Sequence, residues 1–303
     1  MAFRAFFLFF AVLALLAGCR RQAAPPEFSP LLFPPAPTAA PAPAARILLP
    51  SHLPLENSVR TEWGAPLEIA SYTTNEEARA QIDHTDLALV SQEIIVEKTS
   101  SGLLLPLDDS LLPASYRPQV LFLHHYFDAQ NRFSIPYAWS LLGVAFRRQA
   151  LALPVKNWNA IFSSGKPLAF LPDNTLWVRL TSKIGLPSAP PTVTPDLADI
   201  QIGPMAALRS LPAEWTVALP VQGSYITLYS WVIPAGAAHP ERARAALVSL
   251  FKPENLARFG TETPWGITQK TARSLLPAER AGDPLLYPAD LGGYLDLCEF
   301  LRP

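Results

Sequence analysis

Beginning at residue 46, runs that read as strands take turns with runs that read as helices, and that order restricts the chain to a parallel α/β architecture. Residues 46–49 (RILL) are short and apolar, and residues 66–72 (PLEIASY) alternate in period two, as a half-buried strand does. Thr74-Asn75-Glu76-Glu77 is a capping box that opens a helix through about Ile82. Residues 86–90 (DLALV) form a second strand, residues 92–99 a helix, and residues 103–107 a turn into apolar packing. Residues 133–146 (FSIPYAWSLLGVAF) read as two strand pieces around a bend at Pro136. Further on, the pattern predicts a short helix over 158–162, a strand over 167–171, a helix over 176–184 and a Pro- and Ser-rich loop over 186–195. Short strands at 199–202 and 215–219 flank a weakly helical 205–211, and residues 225–234 (YITLYSWVIP) are strand-like. His239-Pro240-Glu241-Arg242 opens a helix with Pro at its first position and an apolar face of Leu247, Leu250 and Phe251. A further helix, 253–259, is expected to stop at Gly260.

Length and charge narrow the function classes. A chain of 303 residues, less a leader, suits two lobes of roughly 100 to 150 residues each. Lys and Arg number 24 against 25 Asp and Glu, and only 16% of residues are charged, so no basic surplus points to nucleic acid. Apart from residues 5–18, no unbroken apolar run approaches the roughly 20 residues that span a bilayer.

The N-terminus reads as a targeting signal. Arg4 supplies a positive region, Ala5 to Ala17 form an apolar stretch of 13 residues, and Leu16-Ala17-Gly18-Cys19 follows. This resembles a bacterial lipobox, which implies a signal peptide over 1–18 and a lipidated Cys19 as the first residue of the mature chain. Two or three acyl chains there would make a stable anchor at the extracytoplasmic or periplasmic face of a membrane. Proline, 33 residues in all, is dense between residues 23 and 45 (AAPPEFSPLLFPPAPTAAPAPAA), where an extended tether is expected over 19–45. Cys298 is the only other cysteine, so with Cys19 lipidated it lacks a disulfide partner and reads as a buried, inert thiol.

Five collinear stretches carry a family likeness: residues 71–77 (SYTTNEE), 85–91 (TDLALVS) with Gly102 and Leu107-Asp108, 134–139 (SIPYAW) with Gly143, 155–162 (VKNWNAIF), and 230–237 (SWVIPAGA) with Glu262-Thr263. Together they cover nearly all of residues 47–290. In this order the chain resembles the extracellular solute-binding proteins of bacterial ABC importers, specifically the spermidine/putrescine-binding branch. The resemblance implies a two-lobed α/β periplasmic-binding-protein fold of type II, with two sheets flanked by helices and joined by two crossing strands. The N-terminal lobe would comprise 46–140 and 232–280, and the C-terminal lobe 141–231 and 281–303. The crossings would fall near 140–143 and 230–232, with a solute held between the lobes by hinge closure. The chain would act as a monomer with permease subunits as partners, without a cofactor and without catalysis. The alternative is a non-transporting relative that serves as a sensor or as a structural partner of an envelope protein.

Compared residue by residue, Ser91 falls on a cleft serine of that branch and Asp173 on its first recognition carboxylate. The second carboxylate is replaced by Leu176, the acidic residue before the second crossing by Tyr229, and the Trp-Thr-Glu-Tyr type sequence by Leu49-Pro50-Ser51-His52. A buried ammonium without an anionic partner costs several kcal/mol, so these losses argue against a long polyamine and for a small solute, neutral or singly cationic. Glu93 could restore one charge or could face solvent. Tyr137, Trp139, Tyr229 and Trp265 are the aromatic candidates for ligand contact, with Tyr229 and Trp265 preferred; packing in the core is the competing role for each. His124-His125 is a weak metal candidate, because adjacent strand residues point to opposite faces and no third ligand has a suitable spacing. No G-x-S-x-G, phosphate loop or H-E-x-x-H occurs.

Overall fold

A computed structural model describes residues 44–64, 66–108, 110–171 and 193–288, and the backbone of residues 295 and 296. In chain order the elements are β1 (Ala45–Pro50), α1 (Glu56–Trp63), β2 (Leu67–Tyr72), α2 (Asn75–Ile82), β3 (Leu87–Ser91), α3 (Gln92–Ser100), β4 (Ile135–Arg147), α4 (Trp158–Phe162) and β5 (Leu168–Phe170). They continue with β6 (Ile200–Pro204), α5 (Met205–Leu208), β7 (Trp215–Ala218), β8 (Tyr225–Val232), α6 (Pro240–Leu250), α7 (Pro253–Glu262), β9 (Gly266–Ile267), two single-turn helices and β10 (Leu295–Asp296).

Two sheets share one long strand. In the first, β2, β1 and β3 run parallel, β8 lies antiparallel beside β3, and residues 135–141 of β4 lie antiparallel beside β8. From Leu142 onward β4 leaves that sheet and pairs with β6 and β7 in the second, where β5 lies parallel to β6. Each sheet has its own core. The first gathers Ile47, Leu89, Tyr137, Trp139, Trp231 and Phe251 among others, and the second Phe146, Trp158, Phe162, Phe170 and Ile202. At about 1.5 to 3 kcal/mol per large apolar side chain removed from water, these clusters dominate the stability of each lobe.

The local reasons are readable. β3 (LALVS) is buried along its whole length, as a strand inside a sheet covered on both faces must be, whereas β2 at the edge keeps Glu68 and Ser71 exposed. α2 begins at the capping box: Thr74 accepts the Glu77 amide at 3.3 Å, and the Glu77 carboxylate accepts the Thr73 and Thr74 amides at 2.6 and 3.4 Å. α6 starts on Pro240 and buries Ala243, Ala246, Leu247 and Leu250.

Four expectations are corrected. α1 was not anticipated, because ENSVRTEW carries only Val59 and Trp63 as an apolar stripe, four residues apart, and has no capping side chain. α7 does not stop at Gly260 but runs to Glu262; a Cβ at Gly260 would lie 3.0 Å from Ile267 Cγ2 and 3.1 Å from Leu276 Cδ2, so this glycine serves close packing. The second crossing lies at Ser224 and Tyr225 rather than at 230–232. Residues 226–231 already pair with β4 in the first sheet, while the Tyr225 ring packs against Trp158 in the second core. Residues 281–288 do not return to the C-terminal lobe: Leu286 and Tyr287 belong to the first core, with Tyr287 edge-on to Trp139. β4 passes between the sheets at Leu141 and Leu142.

The crossings are bonded to one another. Ser224 Oγ donates to the Leu142 carbonyl, Thr227 Oγ1 donates to the Ser140 carbonyl at 3.0 Å, and the Ala206 amide donates to Ser140 Oγ at 3.0 Å. Gly143 lets α5 approach: a Cβ there would sit 2.5 Å from Met205 Cε.

Candidate functional site

The parallel pairs in both sheets place their carboxyl ends around one cavity. In the first sheet the register sets Pro50 opposite Tyr72, and the Ser51 amide donates to the Tyr72 carbonyl at 2.8 Å, so the loops after β1 and β2 emerge side by side. They contribute Ser51, His52 and Thr73. From the second sheet, the chain after β5 contributes Phe170 and Leu171, and the turn after β6 contributes Pro204 and Ala207, joined by Val193, Thr194 and Pro195. This cleft, open to solvent on one side, has a volume of about 730 Å³. A crevice outside the carboxyl ends of parallel strands is where α/β sheets hold ligands.

The first-lobe wall is polar at its rim and aromatic beneath. Ser51 Oγ and Thr73 Oγ1 share a hydrogen bond at 3.1 Å. His52 stands on two rings, edge-on to Tyr229 at 5.4 Å and tilted over Trp265 at 5.5 Å, while Tyr229 and Trp265 meet edge-on at 5.4 Å. Its Nε2 is buried and has no hydrogen-bond partner among the described residues. Burial lowers the imidazole from its usual 6.5 to about 4, so the ring is neutral at physiological pH. Burial, reinforced by the negative charge of Glu93, raises the Tyr229 phenol well above its ordinary range. The Tyr72 phenol is raised by burial and then by Tyr229 and Glu93, although its hydroxyl donates to the Leu89 carbonyl at 3.0 Å.

The sequence-derived candidates separate into three groups. Tyr229 and Trp265, 5% and 2% exposed, lie directly behind His52 and support the cavity wall without lining it. Ser91 sits opposite Tyr229 in the β3–β8 register, and its hydroxyl is bonded to Asn75 Oδ1 at 2.9 Å; Glu93, in the first turn of α3, acts on the Tyr72 and Tyr229 phenols. Tyr137 and Trp139 are placed in the core, not in the cleft. Tyr137 is ringed by Trp231, Phe251 and Phe259, and Trp139 donates its Nε1 hydrogen to the Ile267 carbonyl at 3.1 Å beside Phe122 and Tyr287. Asp173, Leu176, Cys19 and Cys298 lie outside the described residues, as does the helix expected over 176–184. His124 and His125 bond to the backbone through Ala129 and Phe122, each at 3.0 Å.

Sequence reasoning passed over His52 as a site residue. Its signal was positional: it ends the replaced segment Leu49-Pro50-Ser51-His52, directly after the first parallel strand, where a loop residue faces the cleft.

No family model and no curated protein matches the sequence. Solved structures do match the fold. A protein described as a spermidine/putrescine ABC transporter from Listeria monocytogenes superposes with a TM-score of 0.66 at 22% identity, over 85% of this chain and 97% of that one. The spermidine/putrescine ABC transporter substrate-binding protein PotD of Streptococcus pneumoniae gives 0.63 at 19% identity, over 82% and 90%. The TpPotD lipoprotein of Treponema pallidum gives 0.66 at 16% identity, over 86% and 97%. The chain has the two-lobed α/β fold of the type II periplasmic binding proteins, the fold class expected from its sequence.

Proposed function

We propose that this chain, built as type II periplasmic binding proteins are, is the solute-binding component of an ABC importer and passes a small organic solute to permease subunits. The observation that carries this reading is the cavity of about 730 Å³ bounded by both lobes at the carboxyl ends of their parallel strands. Its walls belong to two separately packed cores joined through β4 and the start of β8, the arrangement in which rigid lobes can rotate about a short hinge. The description of the similar Streptococcus pneumoniae structure as an ABC transporter substrate-binding protein supports it. The reading assigns the chain no reaction. The cleft is an altered relative of a polyamine site, with Leu176, Tyr229 and His52 at positions where that branch carries acidic or aromatic groups.

Asp173 is the carboxylate retained at a recognition position, and it is proposed to meet a cationic end where the solute has one. A charge-assisted contact contributes on the order of 1.5 to 3 kcal/mol, about one to two decades in affinity. Titration calorimetry with spermidine, putrescine and monoamines on the wild type and Asp173→Asn is expected to show weak spermidine binding and a loss of that size for a monoamine. Submicromolar spermidine binding, or an unchanged monoamine affinity in Asp173→Asn, would refute this assignment. Solution scattering is expected to show compaction with a bound solute.

The location proposed is the extracytoplasmic face of a membrane, held by a lipidated Cys19 through the proline-rich tether. Cys19→Ser is expected to abolish labelling by a fatty-acid probe and to block signal-peptide removal; a wild type that takes up no label contradicts the anchor.

A further inference from the structure

We infer that the Arg209–Asp283 ion pair is a strap across the hinge, which biases the molecule toward the arrangement described above, with its cleft open to solvent on one side. The inference rests on the two-lobed fold and not on the identity of the solute. Every other ion pair among the described residues joins two residues of the first lobe. Here Arg209 Nη1 donates to Asp283 Oδ2 at 2.6 Å, the side chains are 27% and 15% exposed, and the partners come from different lobes. Asp283 is fixed to the first lobe. Its carbonyl accepts the Leu286 and Tyr287 amides at 3.1 and 2.6 Å, its Oδ1 accepts the Leu285 amide at 3.0 Å, and Leu286 and Tyr287 are packed in the first core. Arg209 is carried by the second lobe. Pro204 at the end of β6 pairs with Leu142 in the second sheet, α5 follows directly, and the Arg209 amide closes that helix on the Met205 carbonyl at 3.0 Å. Ala206 reaches the first core, so α5 lies at the junction, and a rotation of the second sheet is felt three residues on at Arg209.

Coulomb attraction falls with separation, and a partly buried pair is screened by salt much less than a surface one. The pair is in contact in this arrangement, so a shift of a few ångströms between the lobes weakens it. An interaction made in one arrangement and weakened in the others moves the equilibrium toward the first by its own free energy. The two crossing strands permit rotation, and the strap sets how readily it occurs. Arg280 sharpens the effect. Its Nε donates to the Gly260 carbonyl at 2.9 Å, which ties it to the first lobe, and its charge acts on both Arg209 and Asp283. With Asp283 neutral, Arg209 and Arg280 remain as neighbouring like charges on different lobes, so attraction across the junction is replaced by repulsion.

Lobe separation is the readout, because a merely structural ion pair would not move it. Spin labels are attached on either side of the cleft at two exposed positions, Ser71→Cys in the first lobe and Leu197→Cys in the second. The full-length protein also carries Cys19→Ser and Cys298→Ser, and distances are measured by double electron–electron resonance without added solute. Asp283→Asn removes the charge and keeps an acceptor for the Leu285 amide. It is expected to raise the ratio of shorter to wild-type label distances about fivefold. Arg209→Gln, which breaks the same pair without leaving two like charges, is expected to shift the ratio in the same direction by less. Wild-type distributions in both variants, a shift in only one of them, or a shift to longer distances overturns the inference while the solute-binding reading stands.

Discussion

His52 ties the stability of the chain to pH in a direction that follows from its surroundings. The ring is packed against Tyr229 and Trp265, and desolvation holds the folded imidazole near 4 against about 6.5 when unfolded. Between those values the unfolded chain binds a proton that the folded chain does not. Stability from this residue is therefore complete above pH 6.5, declines as pH falls toward 4, and is level below that. The shift corresponds to at most about 3.4 kcal/mol, less the screening available to a partly exposed ring. His52→Gln is expected to flatten the difference between denaturation midpoints at pH 7 and pH 4.5 relative to wild type. Equal pH dependence in the two proteins would mean that the ring is not desolvated. At this scale the sequence was informative about residue type and silent about partners. Tyr137 and Tyr229 are both strand tyrosines in aromatic-rich runs, yet one is enclosed by Trp231, Phe251 and Phe259 and the other supports the cleft wall, and only the neighbours supplied by distant segments distinguish them.

Among elements, those with a local signature were legible. α2 could be placed from Thr74 and Glu77 because its first-turn amides are satisfied within four residues, and Thr74→Ala is expected to cost about 1 kcal/mol in denaturant titration. α1 has no such signature: it is held by Val59 and Trp63 against the first core and by Ser249 and Asn255, which both donate to Glu62 from the far end of the chain. Glycines inside elements make a sharper contrast. A Cβ at Gly266 in β9 would lie 2.5 to 2.9 Å from the Trp139 ring, whose Nε1 is fixed by Ile267, so neither partner can yield. Gly266→Ala is expected to destabilise by about 1 to 3 kcal/mol. At Gly143 the nearest obstacle is the flexible tip of Met205, and Gly143→Ala is expected to cost less. Thermal denaturation of the two variants side by side checks the order; equal or reversed losses would indicate that β9 repacks.

In the molecule as a whole, the first sheet cannot be assembled from the first half of the chain. β8, which joins β3 to β4, arrives from residues 225–232, and α6 covers the same core with Ala243, Ala246 and Leu247. A fragment of residues 44–150 is therefore expected to lack a cooperative thermal transition by circular dichroism, because the edges of β3 and β4 that pair with β8 would be left without partners. A fragment that melts cooperatively would mean that β8 is dispensable to the fold.

Strand and helix periodicity, the capping box and proline positions depend on contacts within a few residues, so the α/β alternation could be read from order alone, whereas the expectation of a crossing near 140–143 came from the family resemblance. The second crossing could not. Residues 225–232 are buried at every position but the partly buried Thr227, and a strand covered on both faces shows little periodicity to mark where one sheet ends and the other begins. That point is set by tertiary contacts: Ile226 pairs with Leu141 in the first sheet, while the Tyr225 side chain packs against Trp158 in the second core. The site divides in the same way. The sequence supplied the residue types on which the comparison with the polyamine-binding branch was made. Only the tertiary structure decided that the histidine after β1 would stand on Tyr229 and Trp265, because those rings come from segments far along the chain and meet His52 only once the first core has formed.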